Sequence, residues 1–443
     1  MPEDLFVAIN DKTARVVVLG LGYVGLPVAC LFAEAGFPVV GIRRSQEKVD
    51  MINSGTCPIE GKEPGLAELV EQTVAAGRFQ ATTDYAACRE AQIVLIAVET
   101  PVDPATRKPG YAALRGALTD LAHNLSPGTL VIIESTIAPR TMETVVQPML
   151  EEISGLRVNE GLYLVNCPER VMPGKLLLNI RSCHRVVGGT SPEAAELAIR
   201  FYQNLVQADL DPVDCLTAEL VKTMENAYRD VQIAFANEMA LLCEDMGADV
   251  WQVRDLVNKS PFRQMHLPGA GVGGHCIPKD PWLLIANAHD GFEPRLIPTA
   301  RAINDGMPLH MLDLTRDALQ AAGLDVADAR VAVLGYAYLE NSDDTRNSPS
   351  KALIQRLGEL GTEVVVHDPW VPGYQGDLLE RIDGCDAAVV MVKHEEYVSL
   401  DLGALAEALR TPILIDGRRV YEAADAASAG LTYRGVGQAV RQA

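Results

Sequence analysis

The sequence predicts an α/β protein built from two parallel β-sheets with a long helix between them. Three observations predict it. Continuous apolar runs alternate with helical segments in two separate stretches, a glycine-rich turn directly follows the first run, and a segment of helical periodicity without Gly or Pro divides the stretches. The 443 residues, 48% of them apolar, suffice for several domains with cores of their own. The expected boundaries are 1–214, 215–310 and 311–443.

The first domain opens with "RVVVLG" from Arg15, whose unbroken apolar run reads as a parallel strand buried on both faces. Similar strands are expected at "PVVGI" (38–42), "IVLIAV" (93–98), "LVIIES" (130–135) and "LYLVNCPE" (162–169), which makes a doubly wound sheet. From Leu216 to Asp245 apolar residues recur through Leu220, Met224, Tyr228, Val231 and Phe235, so a long helix is predicted, stopped by Gly247. Further helices are expected over 250–258, 282–287 and from Pro298 through Asp317. The strand pattern resumes at "RVAVLGYAY" (330–338), "EVVVHDPW" (363–370), "CDAAVVMV" (385–392) and "PILIDGR" (412–418). This second, smaller domain is Rossmann-like, with Gly335 but no second G-x-G-x-x-G.

A net charge of −21 without a lysine or arginine run argues against nucleic acid as a partner. Nine widely spaced cysteines without a C-x-x-C pair point to reduced thiols in a cytoplasm, and to neither a disulfide framework nor a metal site. Val16 to Ala33 is uncharged and about long enough to cross a bilayer, but its three glycines and Pro27 break a continuous helix. No membrane span is expected.

Within that run "GLGYVG" places Gly20, Gly22 and Gly25, with Tyr23 and Val24 between them, where a strand passes into a helix. The first glycine allows a tight turn, the second admits a pyrophosphate, and the third lets the helix pack closely. Dinucleotide binding follows, against an empty Rossmann fold as the plainer reading. The acid expected roughly twenty residues on is replaced by Arg43, Arg44 and Ser45. These groups suit the 2′-phosphate of NADP, or the arginines are solvated or stacked on adenine.

Lys222 and Asn226 fall on one face of the long helix, where a partly desolvated lysine becomes useful in proton transfer. In "GVGGHCIPKDP" (271–281) Asp280 reads as the N-cap of a helix with Pro281 at its first position. Cys276 in the same stretch is either an inert core thiol or a nucleophile.

Taken together, these segments resemble the nucleotide-sugar dehydrogenase family, which acts on UDP-glucose, GDP-mannose or UDP-N-acetylhexosamines. "GLGYVGLP" is similar to its cofactor loop, "VETP" (98–101) and "ESTIAP" (134–139) to its cofactor-side loops, and "CPERVMPG" (167–174) to its substrate strand. "TAELVKTMENAYRDVQIAFANE" (217–238) resembles its central helix, "GVGGHCIPKDP" its catalytic loop, "LGYAYLENSDDTRNSP" (334–349) the start of its third domain, and "DGR" (416–418) a late turn. The shared order covers nearly the whole chain.

The resemblance implies NAD as cofactor, held by the glycine turn with Thr100, Pro101, Ser135 and Thr136, and a four-electron oxidation of a primary alcohol to a carboxylate. Cys276 would trap the aldehyde as a thiohemiacetal and carry a thioester, with Lys222 and Asn226 stabilising oxyanions. Glu169, Thr136 and Asp280 would place or activate water. Arg170, Gly273, His275 and Arg346 would lie around the sugar and nucleotide, making residues 311–443 the UDP-sugar domain. His275, where other branches carry serine, implies a UDP-N-acetylhexosamine, N-acetylmannosamine foremost, with UDP-N-acetylglucosamine and UDP-glucose as alternatives. His275 can also be a base or a thiolate partner, but sugar recognition or loop structure ranks ahead of that, since Lys222 and Asp280 already fill the polar roles.

Two departures stand out: Arg43 in place of an acid, and Tyr338-Leu339 where Phe-Lys is more usual. A two-electron alcohol dehydrogenase and a catalytically silent nucleotide-binding protein remain competing readings. The apolar stripe of the 216–245 helix exceeds what one small domain needs, so a homodimer through it is expected.

Overall fold

The computed structural model describes residues 2–59, 61, 63–289 and 291–439. The chain forms two compact units. One runs from the N-terminal end to Glu225 and adds Trp282–Phe292; the other takes Asn226–Pro281 and Glu293 to the C-terminal end.

The first unit holds an eight-stranded sheet of β1 (Val16–Leu19), β2 (Val39–Ile42), β3 (Phe79–Thr82), β4 (Ile93–Ile96), β5 (Thr129–Ile133), β6 (Leu162–Asn166), β7 (Arg185–Gly189) and β8 (Leu210–Asp214). Their order is β3-β2-β1-β4-β5-β6-β7-β8. All neighbours are parallel except β6 and β7. The five expected strands are present. β3, β7 and β8 are additional, and each lacks a long apolar run: "FQAT" alternates, "RVVGG" begins on arginine, and "LDPVD" carries proline and acids. Every position of β1, β4, β5 and β6 is buried, as a sheet covered on both faces requires. On one face Phe32 stacks on Phe201 with ring centroids 3.9 Å apart, and Phe37 meets Phe201 edge-on. Each such ring contributes about 1.5–3 kcal/mol by burial.

The second unit holds five parallel strands, β9 (Arg330–Leu334), β10 (Glu363–His367), β11 (Ala387–Val390), β12 (Ile413–Asp416) and β13 (Thr432–Gly435), in the order β10-β9-β11-β12-β13. Four were expected; β13, "TYRG", is a short edge strand. The Val250–Asn258 helix has its predicted bounds, whereas the Leu296–Ala321 helix exceeds its prediction at both ends and continues through Pro308. No helix among the described residues is long and apolar enough to cross a membrane.

The long helix is Cys215–Met246, ended by Gly247 at φ +81°. Its apolar stripe does not face a core. Met224, Tyr228 and Phe235 are exposed, while the covered face presents Ala227, Asp230, Ala234 and Asn237. Asp230 pairs with Arg301 at 2.5 Å and accepts from Asn304 at 2.8 Å, and Asn237 donates to Asn304 at 2.8 Å. This buried polar network, beside the apolar packing of Ala236 and Ala240 with Met307 and Met311, fixes the second half of the helix on Leu296–Ala321.

In each sheet the strand order reverses beside the first strand, at β1/β4 and at β9/β11, the place where doubly wound folds bind ligands. A glycine leaves that strand in the left-handed region both times, Gly20 and Gly335 at φ +94°. A Cβ on Gly20 would lie 2.5 Å from Ala97 O, and one on Gly335 would lie 2.6 Å from Val392 Cβ. Gly335→Ala therefore combines backbone strain with overpacking and is expected to cost about 2–4 kcal/mol, read from the denaturant midpoint of purified protein.

Candidate active site

At the carboxyl ends of β1, β2 and β4 lies a cavity of about 360 Å³ whose walls include Gly20, Gly22, Arg43, Arg44, Val98 and Asp120. A Cβ on Gly22 would meet nothing within 4 Å, so the turn faces open space, while one on Gly25 would overlap the Gly20 carbonyl oxygen. The helix Gly25–Glu34 starts after Val24, which offers no capping side chain; Leu26 N donates to Gly22 O at 3.1 Å, Val28 N donates to Val24 O at 3.2 Å and Pro27 has no N–H, so the open space lies at the glycine turn itself. The site fits a pyrophosphate. Of the basic groups after β2, Arg43 donates through Nη1 to Leu21 O and is half-buried, and Arg44 is exposed. Ser45 is occupied as an N-cap, accepting from Lys48 N. Glu99 and Asp120 also line the cavity, acids distant in sequence from the position where one was sought.

The remaining cofactor-side residues support this wall. The Ser135 hydroxyl donates to Val98 O at 2.7 Å and accepts from Val98 N at 2.9 Å; Thr100 Oγ1 donates to Thr136 O at 2.6 Å. The Tyr23 hydroxyl donates to Glu63, which also accepts from Gly174 N at 2.8 Å, tying the turn to the segment after β6. Pro101 is exposed and Thr136 half-exposed.

On that segment Glu169 is turned inward. It is buried, ion-paired with Arg185, and accepts from Arg170 N at 2.8 Å. Arg170 grips Glu225 of the long helix in a forked pair with N–O distances of 2.9–3.1 Å. Lys222, one turn earlier on that helix, is 8% exposed, and Asn226 follows on the same face.

In the second unit Asn226 Nδ2 donates to Asp280 Oδ2 at 2.6 Å, and Lys279 Nζ lies 3.3 Å from Asp280 Oδ1. Asp280 is fully buried and is the first residue of the helix Asp280–Ile285, one place inside its expected cap position. Cys276 precedes it by one turn, its carbonyl accepting from Asp280 N at 2.8 Å. Of the nine cysteines Cys276 alone is exposed, and none forms a disulfide.

The glycines before Cys276 admit protein. A Cβ on Gly273 would collide with Tyr338 Cβ and come within 2.9 Å of Asn347 O, and one on Gly274 would lie 2.8 Å from Tyr338 Cε2. Gly274 N donates to Arg346 O at 2.8 Å, and Asn347 Nδ2 donates to Gly274 O at 3.0 Å. Gly269 N donates to Asn237 Oδ1 at 2.9 Å, and Gly271 O accepts from Arg418 at 3.2 Å. The "DGR" turn and the Tyr338 departure thereby acquire a shared purpose, holding the cysteine loop over the reversal point of the second sheet. Arg346 itself forms a fork on Asp344. Burial, with Lys279 and Arg346 nearby, pushes His275 down to about 4. It is neutral at pH 7 and cannot hold a thiolate as an imidazolium.

Residues 14–206 match the NAD binding domain of the UDP-glucose/GDP-mannose dehydrogenase family, residues 216–306 its central domain and residues 332–423 its UDP binding domain. A UDP-N-acetyl-D-mannosamine dehydrogenase of Pyrococcus horikoshii is 38% identical over 96% of this chain and 99% of its own. The solved structure of the UDP-N-acetyl-D-mannosamine dehydrogenase from Pyrococcus horikoshii superposes with a TM-score of 0.90 at 38% identity, covering 96% of this chain and 99% of its own. That of an NDP-N-acetyl-D-galactosaminuronic acid dehydrogenase from Methanosarcina mazei gives 0.87 at 37% identity, covering 99% and 98%. NAD is the cofactor of the domain that residues 14–206 match. The chain belongs to the UDP-glucose/GDP-mannose dehydrogenase family.

Proposed function

We propose that this protein oxidises UDP-N-acetyl-D-mannosamine to UDP-N-acetyl-D-mannosaminuronate in two successive NAD-dependent steps. The observation that carries the reading is the one exposed cysteine, Cys276, on a loop clamped from three sides, in a chain at 38% identity to a UDP-N-acetyl-D-mannosamine dehydrogenase. One alcohol and one water give one carboxylate, two hydrides leave the terminal carbon, and three protons are released. Bound NAD supplies the acceptor for both hydrides.

The Cys276 sulfur adds to the aldehyde carbon, forming a thiohemiacetal, and the second oxidation leaves a thioester that water hydrolyses, expelling the thiolate. Lys222 and Asn226 donate to the oxyanions. Asp280, already hydrogen-bonded to Asn226, orients that donor, and Glu169 and Thr136 help to place water. Arg170, Gly273, His275 and Arg346 serve the sugar and nucleotide, His275 as a neutral group. The division 1–214, 215–310 and 311–443 is the functional one in this reading; the ends of the three family matches support it. The odd number and wide spacing of the nine cysteines, without a C-x-x-C pair, support a cytoplasmic setting.

A panel of UDP-N-acetylmannosamine, UDP-N-acetylglucosamine, UDP-N-acetylgalactosamine, UDP-glucose and GDP-mannose tests the substrate; the galacto epimer belongs there because of the Methanosarcina mazei structure. Two reduced cofactors and one uronate per UDP-N-acetylmannosamine are expected; one reduced cofactor and no acid would refute the reading. In the same panel kcat/KM should favour NAD over NADP by roughly tenfold or more, since Arg43 and Ser45 are engaged and Glu99 and Asp120 repel a 2′-phosphate.

Cys276→Ala should lower turnover by roughly a thousandfold or more, while Cys276→Ser should stall between the two oxidations. Rapid-quench product analysis distinguishes them, and wild-type turnover by Cys276→Ala would exclude the covalent route.

A homodimer is proposed through the exposed face of Cys215–Met246, where Met224, Tyr228 and Phe235 stand between 52% and 62% exposed. Light scattering should give twice the chain mass, and Phe235→Glu should shift it toward the monomer; a monomeric parent protein would contradict the proposal.

A further inference from the structure

Arg185 opens β7 and is 1% exposed, yet its guanidinium lies among acids. It ion-pairs with Glu169 through Nη2 and lies 3.5 Å from Glu134 Oε1 through Nη1. The guanidinium sits 4.7 Å from the centroid of the Tyr202 ring, and the Tyr202 hydroxyl donates to Glu134 Oε1 at 2.6 Å. Both carboxylates are buried. Burial raises Glu134, Arg185 opposes that and the charge of Glu169 adds to it, with the result that Glu134 is pushed up to about 7.

A buried cluster of this kind gives little net stability over an apolar one of equal volume. What it does here is join two loops. Glu134 immediately precedes Ser135, whose hydroxyl holds the backbone of Val98 on the cofactor cavity wall. Glu169 immediately precedes Arg170, whose fork on Glu225 fixes the same segment to the long helix.

We propose that Arg185 is a positioning residue, a buried guanidinium that fixes the cofactor-side loop of Ser135 and Thr136 and the loop of Glu169 and Arg170 in one arrangement. The inference rests on the proposed role of Glu169 and Arg170 on the sugar side. Planarity is what the role needs, because a fork can address two carboxylates at once and an ammonium point charge cannot.

The test uses Arg185→Lys, Glu134→Gln and the double variant in the full-length enzyme, with folding checked by circular dichroism and active sites counted by alkylation of Cys276. Arg185→Lys is expected to lower kcat per counted site roughly tenfold or more with KM for the sugar little changed. It should also raise the NADH dissociation constant, read by fluorescence, about threefold or more. With Glu134 made neutral, lysine has one carboxylate left to satisfy, so the double variant should turn over faster than Arg185→Lys alone. A kcat and NADH affinity within about twofold of the parent, or losses that simply multiply, would overturn the proposal. Should Arg185→Lys not fold, Glu134→Gln carries the test alone, since it leaves a neutral Arg185–Glu169 pair but frees the cofactor-side loop. An unchanged NADH dissociation constant in that variant refutes the role. Full turnover by Glu169→Gln would refute both the role given to Glu169 and this proposal, whereas parent-like Arg185→Lys beside an impaired Glu169→Gln would refute the proposal alone, so the two failures are distinguishable.

Discussion

Strands of a parallel sheet lie about 4.8 Å apart, so a chain leaving the first strand where the order reverses can turn against its neighbour only if no Cβ intervenes. Gly20 and Gly335 meet that condition in the two sheets, at the same φ, against Ala97 just past β4 and Val392 two residues past β11. From this constraint come the two loop regions of the candidate site. Beside Gly20 the sharp turn exposes the uncapped end of the helix Gly25–Glu34 to a cavity. Beside Gly335 it sends the chain into the 336–347 segment, which provides Tyr338, Arg346 and Asn347 as the bed for the cysteine loop.

That bed explains how a glycine-rich loop can place a nucleophile. Glycine raises the conformational entropy that must be lost on folding, and a loop of four glycines in six residues would otherwise wander. Contacts from Asn237 on the long helix, Arg418 after β12 and the segment after β9 remove that freedom. Effective catalysis by a thiol depends on such placement, because a misplacement of about 1 Å can cost a hundredfold in rate. The anchors of Cys276 thus include the UDP-binding region of the family as well as the helix that carries Asn226.

The sequence made the sheets legible wherever strands are buried on both faces, because β1, β4, β5 and β6 are unbroken apolar runs. It concealed β3, β8 and β13, whose pairing is supplied by neighbours and whose own residues are half polar. The glycine turn and Cys276 could be read locally, since turn geometry and chemistry both reside in short segments. The reason for the glycines before Cys276 could not: it lies in Tyr338 and Asn347, more than sixty residues away. Asp280 showed the same limit, with a cap expected from the adjacent proline and a bond to Asn226 found instead. Arg185 carried no local signal, because its meaning depends on two acids from the segments after β5 and β6. The apolar stripe of the long helix was correctly periodic, but periodicity does not say whether the face meets its own chain or lies open.

The distribution of thiols follows from the same division between local chemistry and fold. Burial pushes Cys30, Cys88, Cys167 and Cys215 up to about 12 and Cys385 to about 11, which keeps them protonated at neutral pH. A thiol in that state is neither nucleophile nor oxidation target. These five cysteines can therefore coexist with the proposed covalent aldehyde chemistry without taking part in it, because their surroundings, not their number, decide their reactivity. Cys276 differs from them in being an exposed residue that follows a loop packed on its glycines. A negative selection of this kind cannot be seen in any motif, since the eight other residues are the same amino acid in different surroundings.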